Sequence, residues 1–181
     1  PDTFGHSQDL PRILNGFGIK NAFVWRGVPG GLNNTVFEWF SPDGSHVNAY
    51  HLCFGYYQTM FHGQVDAAKL ADRLDLWVNL QGPKLVPVGG DHLLPPAQFS
   101  KAIKDAEAEF SKRAVKVKFL TLPLADFARE VEKPVKDLPK VKGELRDNAS
   151  ASQFERAYML QGVLSSRLYL KRAKRMQEHR L

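Results

Sequence analysis

The sequence predicts an α/β fold: a largely parallel sheet with flanking helices and an inserted hairpin, followed by one long helix. Three observations carry this. Through residues 1–132, short apolar runs of strand length alternate with segments whose apolar residues recur at helical spacing. Pro42, Asp43 and Gly44 form a strong turn signal between two β-prone runs. From residue 152 to residue 179 the apolar spacing is helical and meets neither glycine nor proline apart from Gly162.

Taken in order, residues 7–17 read as a helix, with Leu10, Ile13, Leu14 and Phe17 on one stripe and Gly16 and Gly18 as stop signals. Asp2 lies just ahead of it, where a carboxylate suits a helix N-terminus. Residues 22–25 are a short buried strand ending at Arg26, and a loop rich in glycine and asparagine follows. Residues 36–40 and 46–52 are the two arms of the hairpin. Residues 65–80 carry Ala68, Ala71, Leu74 and Val78 at helical spacing. Residues 85–88 form another short strand, followed at once by Gly89, Gly90, Asp91 and His92. Pro95 and Pro96 lead into a helix through Phe99, Ile103, Ala106 and Phe110. Residues 115–120 alternate and read as a strand, and residues 124–131 as a short helix.

Composition changes after that. Lys133, Lys136, Lys140, Lys142, Pro134 and Pro139 leave few apolar positions, so residues 133–150 read as a linker. The helix of residues 151–181 carries Phe154, Ala157, Leu160, Leu164 and Leu168, and a helix of that length belongs in a bundle. The expected division is thus 1–132 for the α/β unit, 133–150 for the linker and 151–181 for the first helix of a helical bundle. A bundle helix without its partners exposes an apolar stripe, so self-association of the isolated chain is expected.

The chain has 181 residues and a net charge of +6, much of it in residues 133–146 and 171–180. That basic charge reads as solvated helix face and linker, since no nucleic-acid motif accompanies it. No apolar run approaches the ~18 residues of a membrane span. The single cysteine, Cys53, excludes an internal disulfide and is expected to be buried.

Ligands of open parallel sheets bind beyond the carboxyl ends of the strands. Arg26 follows one strand and the Asp91–His92 pair follows another, with Asp2 as a third member of that rim. Two carboxylates flanking a bond are what retaining glycoside hydrolysis requires. One attacks the anomeric carbon; the other protonates the leaving oxygen and then activates water. Asp2 and Asp91 suit those roles, with Arg26 orienting the attacking carboxylate. The plainer readings are that Asp2 only bonds backbone N–H groups at a helix start, that His6 packs or caps, and that Gly89 and Gly90 form a tight turn. Trp25, Trp39 and Trp77 read as core. A metal-dependent polysaccharide deacetylase of related architecture and a basic binding module are the alternative classes.

The run Pro1-Asp2-Thr3-Phe4-Gly5-His6-Ser7, continuing into Leu10-Pro11 and Ile13-Leu14, resembles the Asp-x-Phe-Gly-His signature of glycoside hydrolase family 38, the α-mannosidases. Phe23-Val24-Trp25-Arg26, Gly90-Asp91-His92, Gly143-Glu144-Leu145-Arg146 and the run from Leu160 to Arg167 are similar to that family in the same order. The resemblance implies the later part of a catalytic α/β domain and the start of a three-helix bundle, cut from a longer chain. It implies that Asp2 is the catalytic nucleophile and also a zinc ligand, that Arg26 is the active-site arginine beside it, and that Asp91 is the acid/base. It further implies an oligosaccharide or mannoside substrate and a divalent ion, usually Zn2+, whose remaining ligands are absent from this chain. The family's His-x-Asp ligand pair, for one, does not precede Asp2 here. The isolated chain is therefore expected to be inactive.

Overall fold

The structure is a computed structural model of the chain. It describes residues 2–56, 67–68, 71–72, 79–88, 92, 94, 97–113, 116–133, 136–148, 158–159 and 168–179. The elements are α1 (Leu10–Gly16), β1 (Asn21–Val24), β2 (Val36–Phe40), β3 (His46–His51), α2 (Phe99–Lys112), α3 (Leu124–Glu132), β4 (Lys140–Lys142) and α4 (Leu168–Glu178). Residues 67–68 and 71–72 are also helical; most of the predicted helix over 65–80 lies outside the described residues.

The strands form one mixed sheet in the order β1-β3-β2-β4. β1 runs parallel to β3, with Ala22 beside Ala49, and β2 runs parallel to β4, with Trp39 beside Val141. β2 and β3 are antiparallel across the turn at Ser41–Ser45, where the Ser41 N–H donates to Ser45 O at 2.8 Å.

The period-2 alternation of strands gives the sheet two apolar faces. Phe37 and Trp39 of β2, Val47 and Ala49 of β3, Val24 and Val141 turn to one face, where Leu10 and Leu14 of α1 cover them. Val36, Tyr50, Trp25 and Leu52 pack with Phe127 and Val131 of α3 in a separate cluster. Phe127 and Val131 stand four apart and are the buried residues of α3, each contributing about 2 kcal/mol by leaving water. Ala102, Ala106 and Phe110 of α2 repeat that spacing and close a third cluster around Cys53, which is buried.

The start of α1 differs from the sequence expectation. Asp2 does not serve it. Instead the Ser41 hydroxyl accepts from the Arg12 N–H at 3.0 Å and donates to Gln8 O at 2.7 Å, while Pro11 in the first turn needs no partner for a missing N–H. The side chain that occupies the helix start comes from the β2–β3 turn.

Two predicted strands are not strands. Residues 85–88 and, as far as described, 116–120 carry no ladder. Their apolar residues serve packing instead: Val86, Val117 and Phe119 lie against the Cys53–Phe110 cluster. One backbone N–H in each goes to a side chain: the Leu85 N–H donates to Tyr50 Oη at 2.7 Å and the Phe119 N–H to Glu107 Oε1 at 2.9 Å. Conversely, the stretch read as a linker contains β4. Only Val141 of that strand is buried, between two exposed lysines, so the composition hides a three-residue strand. Of the helix expected from residue 152 to residue 179, Tyr158 and Met159 are not helical, residues 168–178 are, and the stretches 152–157 and 160–167 lie outside the described residues. Beyond them α4 buries none of its residues and exposes Leu168, Tyr169, Leu170 and Met176.

His51, the last residue of β3, is 2% exposed. Burial pushes its imidazole from 6.5 down to about 4, partly opposed by a hydrogen bond with the Trp25 backbone. The folded protein thus holds it neutral, while the unfolded chain binds a proton as soon as pH falls below 6.5. Stability is therefore independent of this group above that value and is lost progressively between 6.5 and about 4, by about 3 kcal/mol in full. Urea denaturation followed by the fluorescence of buried Trp25 and Trp39 is expected to show this acid weakening, and His51→Gln to flatten it. An equally steep decline in the variant contradicts the assignment to His51.

Candidate active site

Arg26 stands two residues beyond the end of β1, on the rim where β3 also ends, since Val24 pairs with His51. Its guanidinium is fixed from several directions. Nε donates to Asp2 Oδ1 in an ion pair, and Nη1 donates to the Tyr158 carbonyl at 2.7 Å. The Phe4 ring lies 4.4 Å and the Trp25 ring 3.9 Å from its central carbon, so aromatic faces contact the cation. Arg26 as a whole is 9% exposed. The Asp2 side chain, at 37%, is open to solvent on one side. A buried cation that holds an accessible carboxylate can orient that carboxylate for attack.

The Phe4-Gly5-His6 segment is held by the stretch after β4. His6 and Leu145 exchange both backbone hydrogen bonds at 3.1 Å, and Leu145 is fully buried. The Asp147 N–H donates to Gly27 O at 3.0 Å. Gly27 has φ +87, and a Cβ there would lie 2.2 Å from Leu145 O, so only glycine lets the two chains approach. Gly5, with φ +113, packs over Met159. The Trp39 Nε1–H donates to Gly143 O at 2.8 Å and anchors the same stretch to the sheet. His6 packs edge-on against Trp39 at 5.9 Å between ring centres, and its Nε2 lies 3.3 Å from Thr3 Oγ1. Burial lowers its pKa, which suits a packing histidine.

Of the three residues that the sequence assigns to catalysis, the structure brings Asp2 and Arg26 into direct contact. Asp91 lies outside the described residues, as do Gly89 and Gly90. His92 is exposed with φ 58. Trp25 and Trp39 are buried, as their core reading expects. Sequence reasoning did not find that Phe4 contacts Arg26 or that the Tyr158 carbonyl accepts from it. Phe4 lay within the quoted signature, but its contact with Arg26 is visible only in three dimensions.

A zinc site normally takes three or four protein ligands. Among the described residues no group of three or more His, Cys, Asp or Glu side chains gathers, and the Asp2 carboxylate is engaged by Arg26. The described residues therefore do not by themselves fit such an ion.

The α/β layer thus carries an Asp2–Arg26 ion pair at the carboxyl rim of β1 and β3. The chain belongs to the glycosyl hydrolases of family 38: residues 1–144 match the N-terminal domain of that family. Among solved structures, an alpha-mannosidase from Enterococcus faecalis V583 is similar in fold, with a TM-score of 0.59 and 22% identity over 80% of this chain. The chain spans 17% of the length of that enzyme. No match was found among the curated proteins.

Proposed function

We propose that the full-length protein hydrolyses α-mannosidic bonds with retention of configuration, and that Asp2 is its nucleophile. The observation that carries this is the Asp2–Arg26 ion pair on the strand rim of a family 38 chain. The Asp2 carboxylate attacks the anomeric carbon as the bond to the leaving oxygen breaks. Asp91 gives its proton to that oxygen, then takes one from the water that releases the sugar from Asp2. Arg26 keeps the Asp2 carboxylate aimed, and Phe4 and Trp25 keep Arg26 in place. In a retaining enzyme the two carboxyl groups stand about 5 Å apart, which is the separation this reading requires between Asp2 and Asp91.

A divalent ion enters this reading only on the strength of the resemblance, which makes Asp2 one of its ligands. None of the steps above depends on it. The test of this reading is the anomer first released. Proton NMR of the full-length protein acting on an aryl α-mannoside is expected to show α-mannose before mutarotation. First release of the β anomer contradicts the covalent role of Asp2.

A further inference from the structure

We propose that residues 143–148 and 158–159 together form a positioning element of the active site, and that Asn148 is the residue that sets it. This rests on the roles proposed for Asp2 and Arg26. It extends the site past residue 144, where the match to the family domain ends.

The geometry is a relay of short contacts. Asn148 Oδ1 accepts the Met159 N–H at 2.8 Å, closing residues eleven apart in sequence. That bond fixes the Tyr158–Met159 peptide unit, whose carbonyl accepts Arg26 Nη1 at 2.7 Å. The same guanidinium donates through Nε to Asp2. Met159 is 2% exposed, and its Cε lies 2.9 Å from where a Cβ on Gly5 would stand, so the unit is seated beneath the Asp-Thr-Phe-Gly-His segment. Leu145 and Asp147 tie the other piece to His6 and Gly27.

The element therefore touches both chains that carry the catalytic pair. The guanidinium carbon lies over the Phe4 and Trp25 rings, whereas the direction of its N–H groups is set by their hydrogen bonds. Asp2 supplies one; the Tyr158 carbonyl supplies another from a different part of the fold. With that carbonyl displaced, the guanidinium loses one of the contacts that aim it, and the Asp2 carboxylate it holds shifts with it. Catalytic groups must be held within about half an ångström, so such a loss falls on the chemical step more than on substrate binding.

The test compares Asn148→Ala and Asn148→Asp in the full-length protein with an aryl α-mannoside as substrate. Asn148→Ala is expected to lower kcat by about tenfold to a hundredfold with KM little changed. Asn148→Asp keeps an acceptor oxygen and is expected to recover most of kcat. Wild-type kcat in Asn148→Ala, or a loss that Asn148→Asp does not recover, overturns the proposal. Hydrogen exchange provides a readout independent of the substrate: the Met159 amide is expected to exchange faster in Asn148→Ala, and unchanged protection there overturns the proposal whatever the activity. Failure of the underlying reading is separately visible, as an Asp2→Asn variant that keeps its turnover.

Discussion

Asp2→Asn in the full-length protein is expected to lower kcat by about 10⁴-fold or more, the scale seen when a group that forms the covalent intermediate is removed. The substitution keeps the shape of the side chain and removes its charge and nucleophilicity. Its effect on stability is expected to be small. The Asp2 side chain is partly open to solvent, so screening limits the worth of its ion pair to about 1 kcal/mol. Arg26 keeps the Tyr158 carbonyl and the Phe4 and Trp25 rings as neighbours in the variant. Loss of turnover with a nearly unchanged melting temperature is thus the expected pair of results. Steady-state kinetics and thermal denaturation of the same preparation check both, and near-normal turnover contradicts the assignment of the nucleophile.

Gly27→Ala is expected to destabilise the domain by about 3 to 5 kcal/mol. Two costs combine at this position. The residue has φ +87, and its Cβ would fall 2.2 Å from the Leu145 carbonyl oxygen and 2.6 Å from the carbonyl carbon. The obstacle is backbone, so no side-chain rotation relieves it. The Gly27 O to Asp147 N–H bond and the His6–Leu145 pair must shift together, which moves the element behind Arg26. Gly44→Ala separates the two costs. Gly44 shares φ +87 but meets nothing within 4 Å, so its variant carries only the conformational penalty, about 1 to 2 kcal/mol. Urea denaturation curves for the two variants are expected to differ by the cost of the clash. Equal losses would mean that the 143–148 stretch yields without resistance.

The parts of the fold written in local pattern were legible in the sequence. The spacing of Leu10 and Leu14 with Pro11 in the first turn marks α1, and the spacing of Ala102, Ala106 and Phe110 marks α2. The β-prone runs on either side of Pro42, Asp43 and Gly44 become β2 and β3. What the pattern could not distinguish is an apolar segment paired in a sheet from one that packs without a ladder. Val86, Val117 and Phe119 look like strand residues because they face a core, yet the backbone around them bonds to Tyr50 and Glu107 side chains. Nor could composition reveal β4, where a single buried valine sits among lysines.

The site divides the same way. Asp2 and Arg26, which the structure pairs, stand out in the sequence, one in the quoted signature and the other at a strand end. Their partners do not. Tyr158 takes part through its carbonyl, which no side-chain pattern records, and Asn148 through a bond to a backbone N–H eleven residues on. Tyr158 and Met159, expected to be helical, instead direct a carbonyl to Arg26 and an N–H to Asn148. The Gly-Glu-Leu-Arg run carries a family resemblance in its sequence. Its physical role, a buried Leu145 bonded to His6, required the structure.

The claim that most needs direct proof is that Asp2 forms a covalent bond to the sugar. The full-length protein would be incubated with an activated fluoro-mannoside, which forms a glycosyl-enzyme faster than water releases it, then digested and sequenced by mass spectrometry. A mannosyl adduct on the peptide carrying Asp2, absent in Asp2→Asn, is the result this account predicts. An adduct on another carboxylate, or continued turnover with no adduct at all, would contradict it.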